Sequence, residues 1–336
     1  MSKQVFPEGV DVTVFARLHM GFIDLNGGLG RLFGSIGLAL ENPSTRVTAW
    51  RSEDFTAEGL DSERAMACAR GFITRTGIAS GVRLQIAEAI PEHTGLGSGT
   101  QMALAIGTAI ARLYRLPMVV RDIAALTARG ARSGIGIGAF ENGGLLLDGG
   151  RGENTVIPPI ILRMDFPTVW RVLLVFDERV RGVHGSGELQ AFKGLPEFPS
   201  KLAAELSRRI LMQALPALAE HNLPIFGQAI TELQCRVGDY FASAQGGGRY
   251  ASADVGDVMT WLETQGVNCV GQSSWGPTGF AVVGSESEAE RLLSDLNLRY
   301  PDGNLRFAAC RARNEGAIVR ASMALSGYEN PDRAIN

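Results

Sequence analysis

The sequence predicts an α+β protein built as two domains. Three observations carry this expectation. The chain has 336 residues, 45% of them hydrophobic and 20% charged, an ordinary globular composition with room for two cores. Its first half alternates short β-like runs with helical ones, and its second half sets helices among strands in the order of a split βαβ unit, as in ferredoxin-like folds. Between them, "PPIILRMDFP" (158–167) is rich in proline and reads as a connection.

In the first half, "DVTVFARLHM" (11–20) and "RVTAW" (46–50) read as strands, "SERAMACARGFITRTG" (62–77) as a helix, and "VRLQIAEAIP" (82–91) as a strand. After Gly99, the residues Met102, Ile106, Ile110 and Leu113 fall close to one helical face, the pattern of a core stripe. A second helix is predicted from Asp122 to Ala131, followed by the glycine-dense "RSGIGIGAFENGGLLLDGG" (132–150). The second half offers the strand "WRVLLVF" (170–176), helices from Ser200 to Ala219 and from Ile225 to Val237, and a loop "AQGGGRYAS" (244–252) before a helix ending at Gly266. "VNCVGQSSWGPTGFAVVG" (267–284) reads as strand, loop and strand, and Ser285 and Glu288 stand at capping-box spacing. "LRFAACRA" (305–312) and "AIVRASM" (317–323) read as closing strands.

Composition narrows the function. Cys68, Cys235, Cys269 and Cys310 are far apart, with neither a CxxC pair nor a nearby histidine, which argues against a zinc site or a small disulfide framework. A net charge of -3 and no basic run interleaved with aromatics argue against nucleic acid as a partner. No apolar run reaches membrane-spanning length, and the opening "MSKQVFPEGVDVTVFARLHMGF" lacks the order of a secretory signal, so no membrane partner and a cytoplasmic address are expected. Only Lys3, Lys193 and Lys201 among the 32 basic residues are lysine. Anion binding must therefore rest on arginine and backbone amides, and Schiff-base chemistry is not expected.

The most site-like stretch is "PEHTGLGSGTQ" (91–101). Gly95, Gly97, Ser98, Gly99 and Thr100 run straight into a helix, which gathers unpaired N–H groups around an anion. A tight turn into a buried helix would give the same pattern. No GK[ST] follows, so this is not a Walker A loop, and no dinucleotide fingerprint lines up. Glu92 and His93 directly precede the cradle, where a histidine can serve as a donor or acid–base group.

Three segments, "ARLHMGFIDLNGGLGRLFGSIGLAL" (16–40), the cradle, and "GQSSWGPTGFAVV" (271–283), resemble in order and spacing the signature segments of the GHMP superfamily of small-molecule kinases. The resemblance implies a GHMP-type two-domain fold. Residues 1–165 would form a ribosomal protein S5-like N-terminal domain with the phosphate-binding loop, and residues 166–336 a ferredoxin-like C-terminal domain. The acid–base kinases of the superfamily carry SGxxD after the second helix, whereas this chain has Ser133, Gly134, Ile135, Gly136 and Ile137. An isoleucine cannot take a proton. The third segment is also bulkier than a kinase glycine loop, with Ser273, Ser274, Trp275 and Pro277; Trp275 could pack in a core or stack on an aromatic ring.

With these departures, "RLHMGFIDLNG", "PEHTGLGSGTQ", "SGIGIGAFENGG" and "GQSSWGPTGF" closely resemble the β-ribofuranosylaminobenzene 5'-phosphate synthases. That resemblance implies condensation of phosphoribosyl pyrophosphate with 4-aminobenzoate, releasing carbon dioxide and pyrophosphate, on the way to methanopterin-type one-carbon carriers. 4-Hydroxybenzoate offers an equivalent para electron donor. Mg2+ is the implied cofactor and a homodimer the implied assembly.

On this reading Arg17, Arg31 and Arg132 hold phosphate or carboxylate together with the cradle, including Gln101. His93 and His19 move protons beside Glu92; Asp24, Glu92 or Glu141 carry the metal; Asp24 and Asn142 orient ligand; and Ser274 and Trp275 complete the binding site. Glu188 in "RGVHGSGELQAF" (181–192) matches a family glutamate less closely. Two alternatives stay open: an ATP-dependent GHMP kinase acting on a small alcohol, and a catalytically silent ligand-binding protein of the same fold.

Overall fold

The computed structural model describes residues 7–180, 182, 194–274 and 276–323. Strand β1 (Pro7–Asp24) buries Val10, Val12, Val14, Ala16, Leu18 and Met20 on one face, the two-residue period of a half-buried strand. It pairs antiparallel with β2 (Phe33–Ser52), which extends well beyond "RVTAW". β3 (Phe55–Gly59), α1 (Ser62–Thr76) and β4 (Gly81–Glu88) follow as a parallel crossover, with β4 paired to β2.

Helix α2 (Ser98–Leu113) lies under β1 and β2 with nearly every side chain buried, the predicted stripe Met102, Ile106, Ile110 and Leu113 included. α3 (Val120–Leu126) stops earlier than the sequence suggests. Thr127 ends it and Ala128 turns to a φ of 53°, so Arg129 and Arg132 leave the helix and stand in a loop. The glycine-dense stretch is not all loop, because Ile135–Glu141 forms a short helix α4, and β5 (Leu145–Asp148) pairs with β2. "PPIILRMDFP" is more than a connection: Ile160–Met164 is the edge strand β6 on β5.

The second layer is β7 (Arg171–Asp177), α5 (Ser200–Arg209), a π-helical turn (Ile210–Ala214), α6 (Leu215–Ala219), α7 (Leu223–Phe241), α8 (Ala253–Thr264), β8 (Cys269–Gln272), β9 (Gly279–Val283), α9 (Glu286–Arg299) and β10 (Leu305–Cys310). Its sheet runs β10-β7-β9-β8, antiparallel throughout, which is the ferredoxin-like order. Ser285 accepts from the Glu288 amide at 3.2 Å, as its spacing predicts, while the Glu288 carboxylate takes the Gly284 amide.

One strand departs from the division at residues 165 and 166. β11 (Ile318–Met323) crosses back to pair with β1 and becomes the edge of the N-terminal sheet. The layers also share a core: Leu18, Met20 and Phe22 of β1 pack in one cluster with Phe226, Ile230 and Leu233 of α7. That shared core fixes the seam where the three signature segments meet.

Candidate active site

The three segments converge through backbone contacts. Ser273 donates its hydroxyl to the Gly95 carbonyl at 2.9 Å and accepts from the His19 amide at 3.1 Å. The Ser274 amide donates to the His19 carbonyl at 3.1 Å, and the Arg17 amide to the Leu96 carbonyl at 3.1 Å. A Cβ on Gly95, whose φ is +82°, would lie 2.3 Å from the Ser273 carbonyl oxygen, and one on Gly276 would lie 2.4 Å from that of Thr94. Only glycine permits these two loops to touch.

Beside this junction lies a cavity of about 480 Å³. Arg17, Arg129, Arg132 and Arg151 line it with His19 and Thr100, and Phe22, Ser133 and Ser274 complete much of the wall; no carboxylate among the described residues does. Two of the arginines lie on the cradle, since a Cβ on Gly97 would be 3.2 Å from the Arg17 guanidinium and one on Gly99 3.4 Å from that of Arg129. Gly97 caps α2 without a side chain accepting from its first turn. Guanidinium groups and a helix N-terminus on one cavity suit a ligand bearing several phosphate charges.

A buried carboxylate braces two walls. Asp148 accepts from the Ser35 amide (3.2 Å), the Gly150 amide (2.9 Å), the Ser133 hydroxyl (2.9 Å) and the Gly134 amide (2.9 Å). It thereby fixes the loops that carry Arg132 and Arg151. Burial pushes its carboxyl up, and the four donors partly offset that.

His19 is buried, and among the described residues neither ring nitrogen has a hydrogen-bond partner. Burial, with the Arg17 charge second and Arg132 a smaller contributor, holds its pKa down to about 3. The imidazole is thus neutral at physiological pH, whereas the unfolded chain's would protonate near 6.5. His19 therefore contributes stability that is present above pH 6.5 and lost as pH falls toward 3. Between pH 7.5 and 5 the loss should be about 2 kcal/mol. Urea melts of wild type and His19→Gln at both pH values check this, and equal pH dependence in the two proteins would contradict it.

Other predicted residues take different places. Glu92 pairs with Arg64 at 2.6 Å, and Arg64 also holds Asp61 at 2.6 Å and reaches the Ser98 hydroxyl at 3.3 Å. His93 adopts a φ of 59°, its Nε2 lies 3.8 Å from Glu92, and its carbonyl accepts from the Gly182 amide. Neither Glu92 nor His93 lines the cavity. Gln101 is fully buried and donates to the Gly136 carbonyl at 2.7 Å, so it ties α2 to α4, and it does not line the cavity. Arg31 is engaged with the carbonyls of Gly149 and Gly150. Asp24 accepts from the amides of Asn26 and Gly27, turning the chain after β1.

Glu141 and Asn142 end α4, about 10 Å along the helix from its cavity end by the rise per residue. Glu141 pairs there with Arg121 at 3.3 Å, so neither residue meets the cradle. Trp275 and Glu188 lie outside the described residues. The sequence reading missed Arg129, Arg151, Asp148 and Arg64. The signals were an arginine three residues before Arg132, another within "DGGRG", and an aspartate closing the apolar run "LLLD".

The metal expectation does not fit the described side chains. Asp24, Glu92 and Glu141 stay apart, no three His, Cys, Asp or Glu among the described residues could hold an ion, and the cavity wall is cationic. No helix among the described residues is long and apolar enough to cross a membrane.

Residues 63–144 match the model of the GHMP kinases N-terminal domain, and residues 214–302 that of the GHMP kinases C-terminal domain. Solved structures agree on the fold: a homoserine kinase from Cytophaga hutchinsonii superposes with a TM-score of 0.68 at 16% identity, covering 95% of this chain and 100% of its own. A Lactococcus lactis galactokinase complexed with galactose does so with a TM-score of 0.67 at 15% identity, over 93% and 95%. Fold and signature loops thus define a GHMP-type protein.

Sequence relatives are narrower. The β-ribofuranosylphenol 5'-phosphate synthase of Archaeoglobus fulgidus is 34% identical over 321 residues, 90% of this chain and 97% of its own. That of Methanothermobacter thermautotrophicus is 31% identical over 290 residues, 80% and 87% respectively. The chain belongs to the β-ribofuranosylphenol 5'-phosphate synthase family, and it is an enzyme.

Proposed function

We propose that the enzyme joins the ribose of phosphoribosyl pyrophosphate to a para-substituted benzoate, releasing carbon dioxide and pyrophosphate. The observation that carries this reading is the cavity of four arginines at the α2 N-terminus, matched to a donor with two separated phosphate groups. As the ribose C1–O bond breaks, the bonding pair leaves with pyrophosphate, and Arg17 and Arg129 on the cradle meet the growing charge. The ring carbon bearing the carboxylate forms the new bond, using electrons released by the para substituent. Loss of carbon dioxide returns its C–C pair to the ring and restores aromaticity.

The relatives are named for a phenol product, which supports 4-hydroxybenzoate as acceptor beside 4-aminobenzoate. Mg2+ is proposed only as the counter-ion of the diphosphate. A methanopterin-type pathway, a homodimer and a cytoplasmic address belong to the same proposal. The kinase alternative is disfavoured by Ile137, which is fully buried in the same core cluster as Phe72 and Ile123 and offers no base to a substrate hydroxyl.

The test is release of labelled carbon dioxide from carboxyl-labelled 4-hydroxybenzoate and 4-aminobenzoate, with phosphoribosyl pyrophosphate and Mg2+. Release that depends on the ribose donor is expected. Folded protein releasing none from either acid would overturn the proposal.

A further inference from the structure

The large cavity has a small annex. Gly21, Phe22, Gln234, Val237, Phe241 and Gln272 are among the residues enclosing a recess of about 30 Å³ between β1 and α7. His19, Phe22 and Ser274 line both spaces and so mark where the two adjoin, a boundary we call the doorway. A water needs at least about 10–15 Å³ of such space, so the recess accepts a group of one or two heavy atoms and excludes a benzene ring.

The walls of this doorway differ in kind from those of the cationic chamber. Phe22 stands edge-on to His19 with ring centroids 4.5 Å apart, and Phe241 stands 6.3 Å beyond Phe22. A planar aromatic ligand can pack there. Several polar side chains around the recess are already engaged. Gln234 donates to the Met20 carbonyl and accepts from the Gln272 amide; Gln272 accepts from the Ala251 amide; Arg249 is bound bidentate to Asp239. His19 stands apart from these, because both ring nitrogens are buried and lack a hydrogen-bond partner among the described residues. Leaving such atoms unmatched is unfavourable unless a ligand meets them.

Resting on the proposed reaction, we infer that the doorway is the subsite for the aromatic acceptor, and that His19 receives the hydrogen of its para amino or hydroxyl group. The ring lies on the chamber side against Phe22 and His19, with the para group entering the recess. Its opposite end, the carbon bearing the carboxylate, then faces the chamber where the ribose is held.

A neutral imidazole suits this task. When the ring carbon bonds to ribose, the para nitrogen or oxygen becomes electron-poor and its N–H or O–H more acidic. His19 strengthens its hold on that hydrogen as the charge grows, an interaction made mainly in the transition state. The hydrogen stays with the substituent or returns to it when carbon dioxide leaves with its carbon–carbon pair remaining in the ring, so no proton is gained or lost overall. A protonated imidazole could not accept this hydrogen bond.

His19 also joins the protein seam, but through its backbone amide and carbonyl, which a substitution retains. His19→Leu removes both polar atoms, and His19→Gln returns an amide acceptor. His19→Leu should lower kcat/KM for either benzoate by about a hundredfold, leave KM for phosphoribosyl pyrophosphate within about threefold, and be partly rescued in His19→Gln. Unchanged acceptor kinetics, or loss confined to the ribose donor, would overturn the assignment. Binding supplies a readout that needs no turnover. In 15N-histidine spectra of the intact protein, 4-hydroxybenzoate alone should shift the resonances that are missing in His19→Gln. If wild type turns over neither acid yet this shift occurs, the acceptor subsite stands and the proposed reaction falls. If wild type is active and neither the shift nor the kinetic change is seen, the reaction stands and the subsite falls.

Discussion

Replacing Arg17 with methionine should lower kcat/KM for phosphoribosyl pyrophosphate by about a hundredfold to a thousandfold, the range seen when a preorganised charge at a reacting centre is removed. The side chain acts in two places. Its Nη1 donates to the Gly95 carbonyl at 2.5 Å, and its guanidinium lies on Gly97 at the start of α2 while lining the chamber. The change therefore withdraws a cation from the leaving diphosphate and loosens the cradle that presents the helix N-terminus.

Methionine retains the apolar stem, so the melting temperature should fall by only a few degrees, as expected for about 1 kcal/mol. Lysine restores the charge without the planar fork and should recover only part of the rate. Arg291→Met, which breaks an exposed pair with Asp295 on α9, should leave all constants within about twofold. Initial rates with each substrate varied decide the matter. An Arg17→Met enzyme within about threefold of wild type would remove this arginine from donor binding.

The fold was legible where one physical signal dominates. β1 declares itself through alternating apolar residues from Val10 to Met20, and α2 through Met102, Ile106, Ile110 and Leu113, because burial on one face imposes a period. β11 gave no such information about its partner: "AIVRASM" reads as a strand, but only tertiary pairing sends it back to β1. The cradle was legible because glycines at a helix start have few other uses.

Its chemistry was less so, since "EH" beside a glycine loop draws attention in a sequence while the chamber is walled from four other places. Arg129 was hidden by the helix predicted to run to Ala131; once Ala128 turns left-handed, the arginines beyond it face the chamber. Glu141 failed for the opposite reason. It is near Arg132 in sequence, but a helix carries it away along its axis.

Asp148 should have the largest effect on stability of any residue near the site, although it does not line the chamber. Each carboxylate oxygen takes two hydrogens: Oδ1 from the Ser35 and Gly150 amides, Oδ2 from the Ser133 hydroxyl and the Gly134 amide. Asparagine can fill only half of this demand. With its NH2 group at the Oδ2 position, Ser133 can rotate to accept, but the Gly134 N–H then faces another donor; the reverse orientation sets NH2 against two amides. Asp148→Asn should therefore lose about 2–3 kcal/mol, and Asp148→Ala, which strands all four donors, about 3–5 kcal/mol.

The kinetic signature separates bracing from bulk destabilisation. Asp148 holds Ser133 next to Arg132 and Gly150 next to Arg151, so its loss should raise KM for phosphoribosyl pyrophosphate about tenfold or more at temperatures where the variant is still folded. KM for the aromatic acid should change little, because none of the doorway residues His19, Phe22 and Ser274 hydrogen-bonds to Asp148. Denaturant melts and paired substrate titrations of the two variants test the claim. Equal stability of Asp148→Asn and wild type would mean that the carboxylate accepts fewer hydrogens than the geometry indicates, and a parallel rise in both KM values would mean that it supports the fold without aiming the arginines.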